Sequence, residues 1–402
     1  MKVTNKYLMI FLLFIGYVIV YIDKTVIGFA LLPIEQEFSL TAKELGYITG
    51  LFFLSYSLFQ IPAGWLNDRI GYKKVLLLSL FLLGGFAISF GLLGLTFGLL
   101  VVWRFLAGIA HSGYPCSCAK AVVANFDVQQ RTFAQSILLS SSGLAMSAGP
   151  VVAVFLISEI GWRGSFTWLG LFAFAIAFCV LIWVPKPAQG PRAAKAVGWS
   201  DYKQLLKNPV VLLLFVAIFG LNVPSYGLMA WLPKYLVQYR GLSISLSATI
   251  AAAGGLGLWV SSLCTGWFVG KYMQDREYIV ISAGSLLGAV CIMAIYLVPS
   301  AIFAAILLFF GYVFLMAAFV TVFTLPMKRL PQEVIGAAMG MINTGGTLGG
   351  FVAPIAIGYL VSMTNSFASA FIFLAAAMVV SGLVVIPLRN SGTATGAVVG
   401  NE

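Results

Sequence analysis

"PKPAQGPRAAKAVGWSDYKQLLK", from Pro185 to Lys207, is the one place where this chain stays polar for any length. Prolines and small residues resist regular structure there, and five basic residues keep the segment in water. Around it the chain is apolar: 61% of the 402 residues are hydrophobic and 9% are charged, with a mean hydropathy of +1.02. Such values lie far outside the soluble range. Apolar runs of about 20 or more residues recur, each long enough to cross roughly 30 Å of hydrocarbon. Twelve can be traced, at approximately 7–34, 46–66, 72–95, 97–124, 131–157, 164–184, 208–237, 245–269, 277–298, 300–326, 334–362 and 366–388. None shows the short alternating pattern of a barrel strand, so helices are expected. The polar segment divides them six and six.

The expected organisation is an all-α polytopic membrane protein in two halves. One six-helix bundle covers 1–184 and a second covers 208–390. A cytoplasmic linker at 185–207 joins them, with a short interfacial helix near Tyr202–Lys207, and a disordered cytoplasmic tail covers 391–402. The halves look related. "GWLND" at Gly64–Asp68 recurs weakly as "GWFVG" at Gly266–Gly270, and "SAGPVVAVFLI" around Pro150 recurs as "GFVAPIAIGYL" around Pro354. Two segments that recur at nearly one offset, close to half the chain length, suggest a duplicated unit with its site between the halves at mid-membrane.

The net charge of +11 tempts a nucleic-acid reading. Its distribution points instead to topology. With the N-terminus inside, 16 of the 23 Lys/Arg fall on the cytoplasmic side, four outside (Lys43, Arg163, Lys234, Arg240) and three within helices. That is the positive-inside bias, and it puts both termini in the cytoplasm. The five cysteines all lie in predicted helices, so neither a disulfide framework nor a metal site is expected. No cofactor is implied. The first run has charges at its centre and no cleavage site, and is expected to be a retained span.

Five ionisable residues sit inside predicted helices: Asp23, Lys24, Arg104, His111 and Lys120. Each charge at mid-membrane costs at least roughly 2.5 kcal/mol, so a functional reason is expected. Arg104 and His111 are seven residues apart and share a helix face about 10.5 Å apart along the axis. Arg104 is either part of a charge network or a packing arginine on backbone carbonyls, and Lys120 either joins it or snorkels inward. His111, the single histidine, is either a proton carrier or a neutral ring hydrogen-bonded beside Ser112 or Tyr114. Adjacent helix residues diverge by about 100°, so Lys24 is expected to face the substrate and Asp23 the interior of the N-terminal half. Helices 7 to 12 hold only neutral polar groups such as Asn222, Tyr226, Thr321, Thr324 and Asn343. With three fixed cations against one acid, the site is net positive and suits an anion.

"GWLNDRIGYKK" (Gly64–Lys74) resembles the Gly-x-x-x-Asp-Arg-x-Gly-Arg/Lys-Lys loop of the major facilitator superfamily, with Tyr72 at one basic position. Gly64, Asp68, Arg69 and Gly71 are its gating residues by that resemblance, the glycines allowing close helix contact. Further stretches are similar to the anion:cation symporter family, which includes bacterial galactonate, glucarate and hexuronate carriers and the sialic-acid and vesicular glutamate carriers. These are "YIDK" (Tyr21–Lys24), "FLSYSLFQIPAGW" (Phe53–Trp65), "RFLAGIAHSGYPCSCAK" (Arg104–Lys120), "GWRGSF" after the fifth run, "WLPKYLVQYRGLS" (Trp231–Ser243) and "NTGGTLGGFVAPIAIGYL" (Asn343–Leu360). The resemblance implies a twelve-helix carrier in two pseudo-symmetric halves. It assigns substrate binding to Lys24, Tyr56, Ser142 and Asn343, with Asn222 and Tyr226 added by their position on helix 7 alone, and proton coupling to Asp23 and His111. Lys24 stands where the family has an Arg, and His111 where the sugar-acid carriers have a Glu. A lysine grips a carboxylate as a point charge, without the planar fork.

The expected function is proton-coupled symport of a small organic anion, a sugar acid or related carboxylate, across the bacterial inner membrane by alternating access. Its partners are the anion, protons and the bilayer, and a monomer suffices. A facilitator or a proton-antiporting exporter of the same fold, with Asp23 and His111 structural, is the alternative. An intramembrane enzyme would need a nucleophile beside a base or a metal cluster, and neither pattern appears. A nutrient-sensing receptor would carry a long soluble extension, and "NSGTATGAVVGNE" is short.

Overall fold

The computed structural model describes residues 6–186, 204–273, 275–330 and 332–390; the side chains of a few further positions, Asp68 among them, also lie outside the description. Most of the expected linker and the whole expected tail therefore fall outside the described residues. Residues 204–207 form one helical turn, in which Lys207 N–H donates to the Gln204 carbonyl.

The N-terminal half begins with α1 (Lys6–Phe38), α2 (Ala42–Ile70), α3 (Tyr72–Leu93) and α4 (Phe97–Asn125). One helical run then spans Val128–Trp183, broken only at Gly161, whose φ of +69° and ψ of 171° are not helical. We call its parts α5 (128–160) and α6 (162–183). The C-terminal half holds α7 (Pro209–Lys234), which ends in a π-turn at Tyr235–Tyr239, then α8 (Ile244–Tyr272), α9 (Glu277–Leu297), α10 (Ala301–Arg329), α11 (Gln332–Thr364) and α12 (Ala368–Val384). Among the described residues eleven helices are long and apolar enough to span a membrane, and one of them, Phe133–Trp183, has 51 residues. A straight helix of that length would measure about 75 Å, more than twice a bilayer core. Reversal at Gly161 makes it two spans and brings the total to twelve. "GWRGSF" is thus a turn of one residue, where a loop from 157 to 164 was expected; only glycine enters this left-handed region freely.

Other helix ends are built from similarly local devices. Thr41 and Glu44 form a reciprocal capping box at the start of α2. Gly71, with φ +87°, ends α2 and starts α3 in a single residue. Lys6 pairs with Asp127, Lys73 Nζ donates to the Leu181 and Val184 carbonyls, and Arg329 donates to the Leu388 carbonyl. These contacts gather both described chain ends on one face of the bundle, here the terminal face.

The two halves meet through matched pairs of helices. α2 packs along α11, and α5 packs along α8. Since α8 repeats α2 and α11 repeats α5, each seam is the pseudo-symmetric image of the other. Without a hydrophobic drive inside lipid, close approach depends on small residues. A Cβ on Gly46 would stand 2.7 Å from the Pro354 carbonyl oxygen, so the α2–α11 seam is tight near the face opposite the termini. Towards the terminal face it opens: among the described residues nothing lies within 4 Å of a Cβ on Gly64 or on Gly340. Gly64, expected to pack closely, stands in open space in this conformation.

Candidate functional site

The site is organised by α1, whose middle is buried all round. Asp23 is 2% and Lys24 is 3% exposed, and their side chains take different directions. Asp23 turns into the N-terminal half, where Arg104 Nη1 donates to its Oδ2 at 3.1 Å. His111 Nε2 stands 3.2 Å from the same oxygen, though off the line of a hydrogen bond. Arg104 is therefore a partner of Asp23, not a guanidinium on backbone carbonyls. Among the described residues its Nε, and both ring nitrogens of His111, lack hydrogen-bond partners. A buried charge pair of this kind costs desolvation, and losing one member costs about 3–5 kcal/mol.

Lys24 turns the other way. Its Nζ lies 4.4 Å from the centre of the Tyr56 ring, 5.0 Å from Tyr21 and 6.0 Å from Phe52. No carboxylate lies within ion-pair distance of it among the described residues. Rings stabilise a desolvated ammonium through their negative faces without neutralising it, so the positive charge stays available. Phe52 is the hinge of the arrangement. The Arg104 guanidinium lies 4.5 Å over its ring, and His111 meets it edge-on at 4.8 Å. Phe52 thus touches both the ion-paired Arg104 and, at 6.0 Å, Lys24. Sequence reasoning did not single it out, because a phenylalanine in an apolar run carries no distinguishing signal.

The C-terminal half reaches this cluster through aromatic and amide groups. Tyr226 on α7 packs on Phe53 at 4.3 Å. Asn343 on α11 donates to Gln60 Oε1 at 3.1 Å, and Thr347 donates to Ser57 at 2.8 Å. Gln60, Ser57 and Thr347 were also not singled out. Two expected substrate residues have other partners: Ser142 donates to the Leu139 carbonyl of its own helix, and Asn222 to that of Ile218, where it fills space beside Gly346. Lys120 is half-buried, nine residues beyond His111 towards the terminal face. In the expected gating motif, Arg69 lies 4.8 Å over the Trp65 ring, and the Asp68 side chain is outside the described residues. Tyr72, the departure from the family pattern, donates to the Pro185 carbonyl and accepts from Asn125, tying α3 to the ends of α4 and α6.

The opposite face is closed by charge. Lys234 Nζ on α7 meets Glu35 Oε1 on α1 at 2.6 Å, and Gln238 donates to the other oxygen at 2.9 Å. Beside them Glu37 accepts from Arg163 at 2.5 Å and from Trp162 at 2.9 Å, within the N-terminal half. The "WLPKYLVQ" stretch thus carries a bond between halves. Behind it lies an apolar cavity of about 20 Å³, bounded by Thr25, Phe29, Met146 and Met229, large enough for roughly one water.

Known proteins fit this architecture. The probable galactarate/D-glucarate transporter GudP of Escherichia coli K12 is 28% identical over 92% of this chain and 91% of its own. The D-galactonate transporter of Escherichia coli O6:H1 is 25% identical over 94% of each. The crystal structure of a bacterial homolog to the human lysosomal transporter Spinster, inward-facing and occupied, superposes with a TM-score of 0.80 over 97% of this chain and 96% of that one. At 18% identity this likeness speaks for the fold alone. The sequence profile described as Major Facilitator Superfamily matches residues 13–354. This chain is a multi-pass membrane transporter and belongs to the Major Facilitator Superfamily.

Proposed function

We propose that this transporter carries a small organic anion, a sugar acid or related hydroxycarboxylate, in symport with protons. One observation carries the reading: Lys24 is a buried cation at mid-helix without a carboxylate partner among the described residues, while the acid beside it is held by Arg104. A carboxylate entering between the halves would meet the Lys24 ammonium, flanked by Tyr56 and Tyr21. The relatives named as galactarate/D-glucarate and D-galactonate transporters support a sugar acid.

Asp23 supplies the coupling. Its carboxylate and the substrate anion draw on the same local positive charge, so a proton on Asp23 and an anion at Lys24 favour one another, reciprocally. His111, beside the same oxygen, is the second proton site. The positive-inside bias makes the terminal face cytoplasmic, in a bacterial inner membrane, with both termini inside. The seams then close outside and open inside, and the Glu35–Lys234 pair must break for substrate to enter from outside. A monomer is sufficient for every step.

The close fit of Asp23 between Arg104 and His111 favours a second reading, in which this triad is structural and the protein is a facilitator. Proteoliposomes with an imposed pH gradient, acid outside, separate the two. Accumulation of galactarate, glucarate or galactonate above equilibrium is expected; equilibration without accumulation would make the protein a facilitator.

A further inference from the structure

Along the α2–α11 seam, cross-half contacts run from Gly46 against Pro354, through Ser57 and Thr347, to Gln60 and Asn343. One turn further on, at Gly64 and Gly340, the seam is open. Gln60 and Asn343 thus stand at its opening edge, and both are half-buried. Two primary amides hold four N–H donors and two carbonyl oxygens. Their mutual bond uses one of each.

We infer that Gln60 is a specificity-determining residue that, with Asn343, reads substrate hydroxyls remote from the carboxylate. The inference rests on the proposed anion site at Lys24. A hydroxyl donates and accepts at once, which matches an amide pair; an alkyl chain offers neither. Lys24 Nζ lies over the Tyr56 ring, and Gln60 follows Tyr56 by four residues, one turn further along the same face of α2. A carboxylate at Lys24 therefore leaves the hydroxyls at the far end of the substrate to the amide pair.

The test is calorimetric titration of purified protein with galactonate and with its 5-deoxy and 6-deoxy analogues. Wild type should prefer galactonate over at least one analogue by about three- to tenfold, the worth of one hydrogen bond. Gln60→Ala should lose that preference by binding galactonate as weakly as the analogue. Gln60→Asn, which keeps the amide but withdraws it by one methylene, should lose most of it. A preference that survives in both variants overturns the inference, as does its absence from wild type. Lys24→Gln is the control for the underlying reading. If it abolishes galactonate binding while Gln60→Ala keeps the preference, only the role of Gln60 fails. If Lys24→Gln binds normally, or wild type binds no galactonate, the anion site fails and this inference with it.

Discussion

Arg104 and His111, seven residues apart on α4, meet the same carboxylate oxygen of Asp23, at 3.1 and 3.2 Å. A guanidinium that donates to this oxygen and a ring that only stands beside it therefore converge on one atom. Protonating Asp23 would remove the negative charge that holds Arg104, which is why the proposed coupling places the proton here. Charge state and helix contact are linked at a single atom, on the wall between α1 and α4.

Asp23→Asn imitates the protonated acid. It should bind substrate and exchange it across the membrane, yet fail to accumulate it against a gradient. Proteoliposome exchange and pH-driven uptake, measured side by side, check this; accumulation that persists refutes the coupling role. The same change leaves the Arg104 charge buried without its counter-charge, so the melting temperature should fall. Arg104→Gln added to Asp23→Asn should restore part of it, because the stranded charge is gone.

His111→Gln tests whether the ring carries a proton or only packs. If it carries one, exchange should survive while the dependence of uptake on pH flattens. Unchanged accumulation across the pH range would leave His111 as a space-filling neighbour of Phe52, which it meets edge-on.

Lys24→Gln should abolish saturable anion binding while leaving the fold intact, since no carboxylate loses a partner. Lys24→Arg keeps the charge and adds a planar fork, so it should retain binding or widen the range of carboxylates accepted. Full affinity in Lys24→Gln, measured by titration, would remove Lys24 from the site.

The intramembrane charges were legible in the sequence because a charge in an apolar run has few bland explanations. The adjacency of Asp23 and Lys24 even foretold their divergence, which follows from helix geometry alone. What could not be read was the neighbourhood. Phe52 contacts Arg104, Lys24 and His111 but looks like any phenylalanine of its run. Gln60 and Glu35 act across the two halves, and no local pattern announces a partner 283 or 199 residues away. Asn222 and Ser142 show the converse, polar groups whose hydrogen bonds turn back on their own helices. The break between α5 and α6 is shorter than the gap between the apolar runs ending at 157 and beginning at 164, because one glycine turns the chain without a loop. Gly64 was expected in close contact, and a single conformation shows only its open side.

A steric wedge should bias the conformational equilibrium. A Cβ on Gly46 meets the Pro354 carbonyl and, at 3.1 Å, the Ile355 Cα, all of it backbone that cannot swing aside. Gly46→Val should therefore disfavour closure of the opposite face while leaving the terminal side free. Hydrogen–deuterium exchange should rise in 40–52 and 350–360 relative to wild type. Unchanged exchange with normal transport would mean that the seam yields locally.

The Glu35–Lys234 pair offers the electrostatic route to the same end. Lys234 has a side chain only 7% exposed and Glu35 one 22% exposed, so the pair lies between a surface bridge and a buried one. Surface pairs are worth about 0.2–1 kcal/mol and breaking buried ones costs about 3–5 kcal/mol. A value in between, near 1.4 kcal/mol, changes a two-state population tenfold. Because the bond joins α1 to α7 across the two halves at the opposite face, Glu35→Gln should shift the population towards opening there. Hydrogen–deuterium exchange should increase in 30–40 and 229–240, at the ends of α1 and α7. It should decrease in 60–72 and 335–345, where the seam now stands open. Lys234→Met, which removes the charge but keeps the apolar stem, should produce the same redistribution, and the double variant should add little to either. Exchange that rises at both faces together would indicate loss of stability and not a shift between conformations, and would remove this pair as the closure of that face.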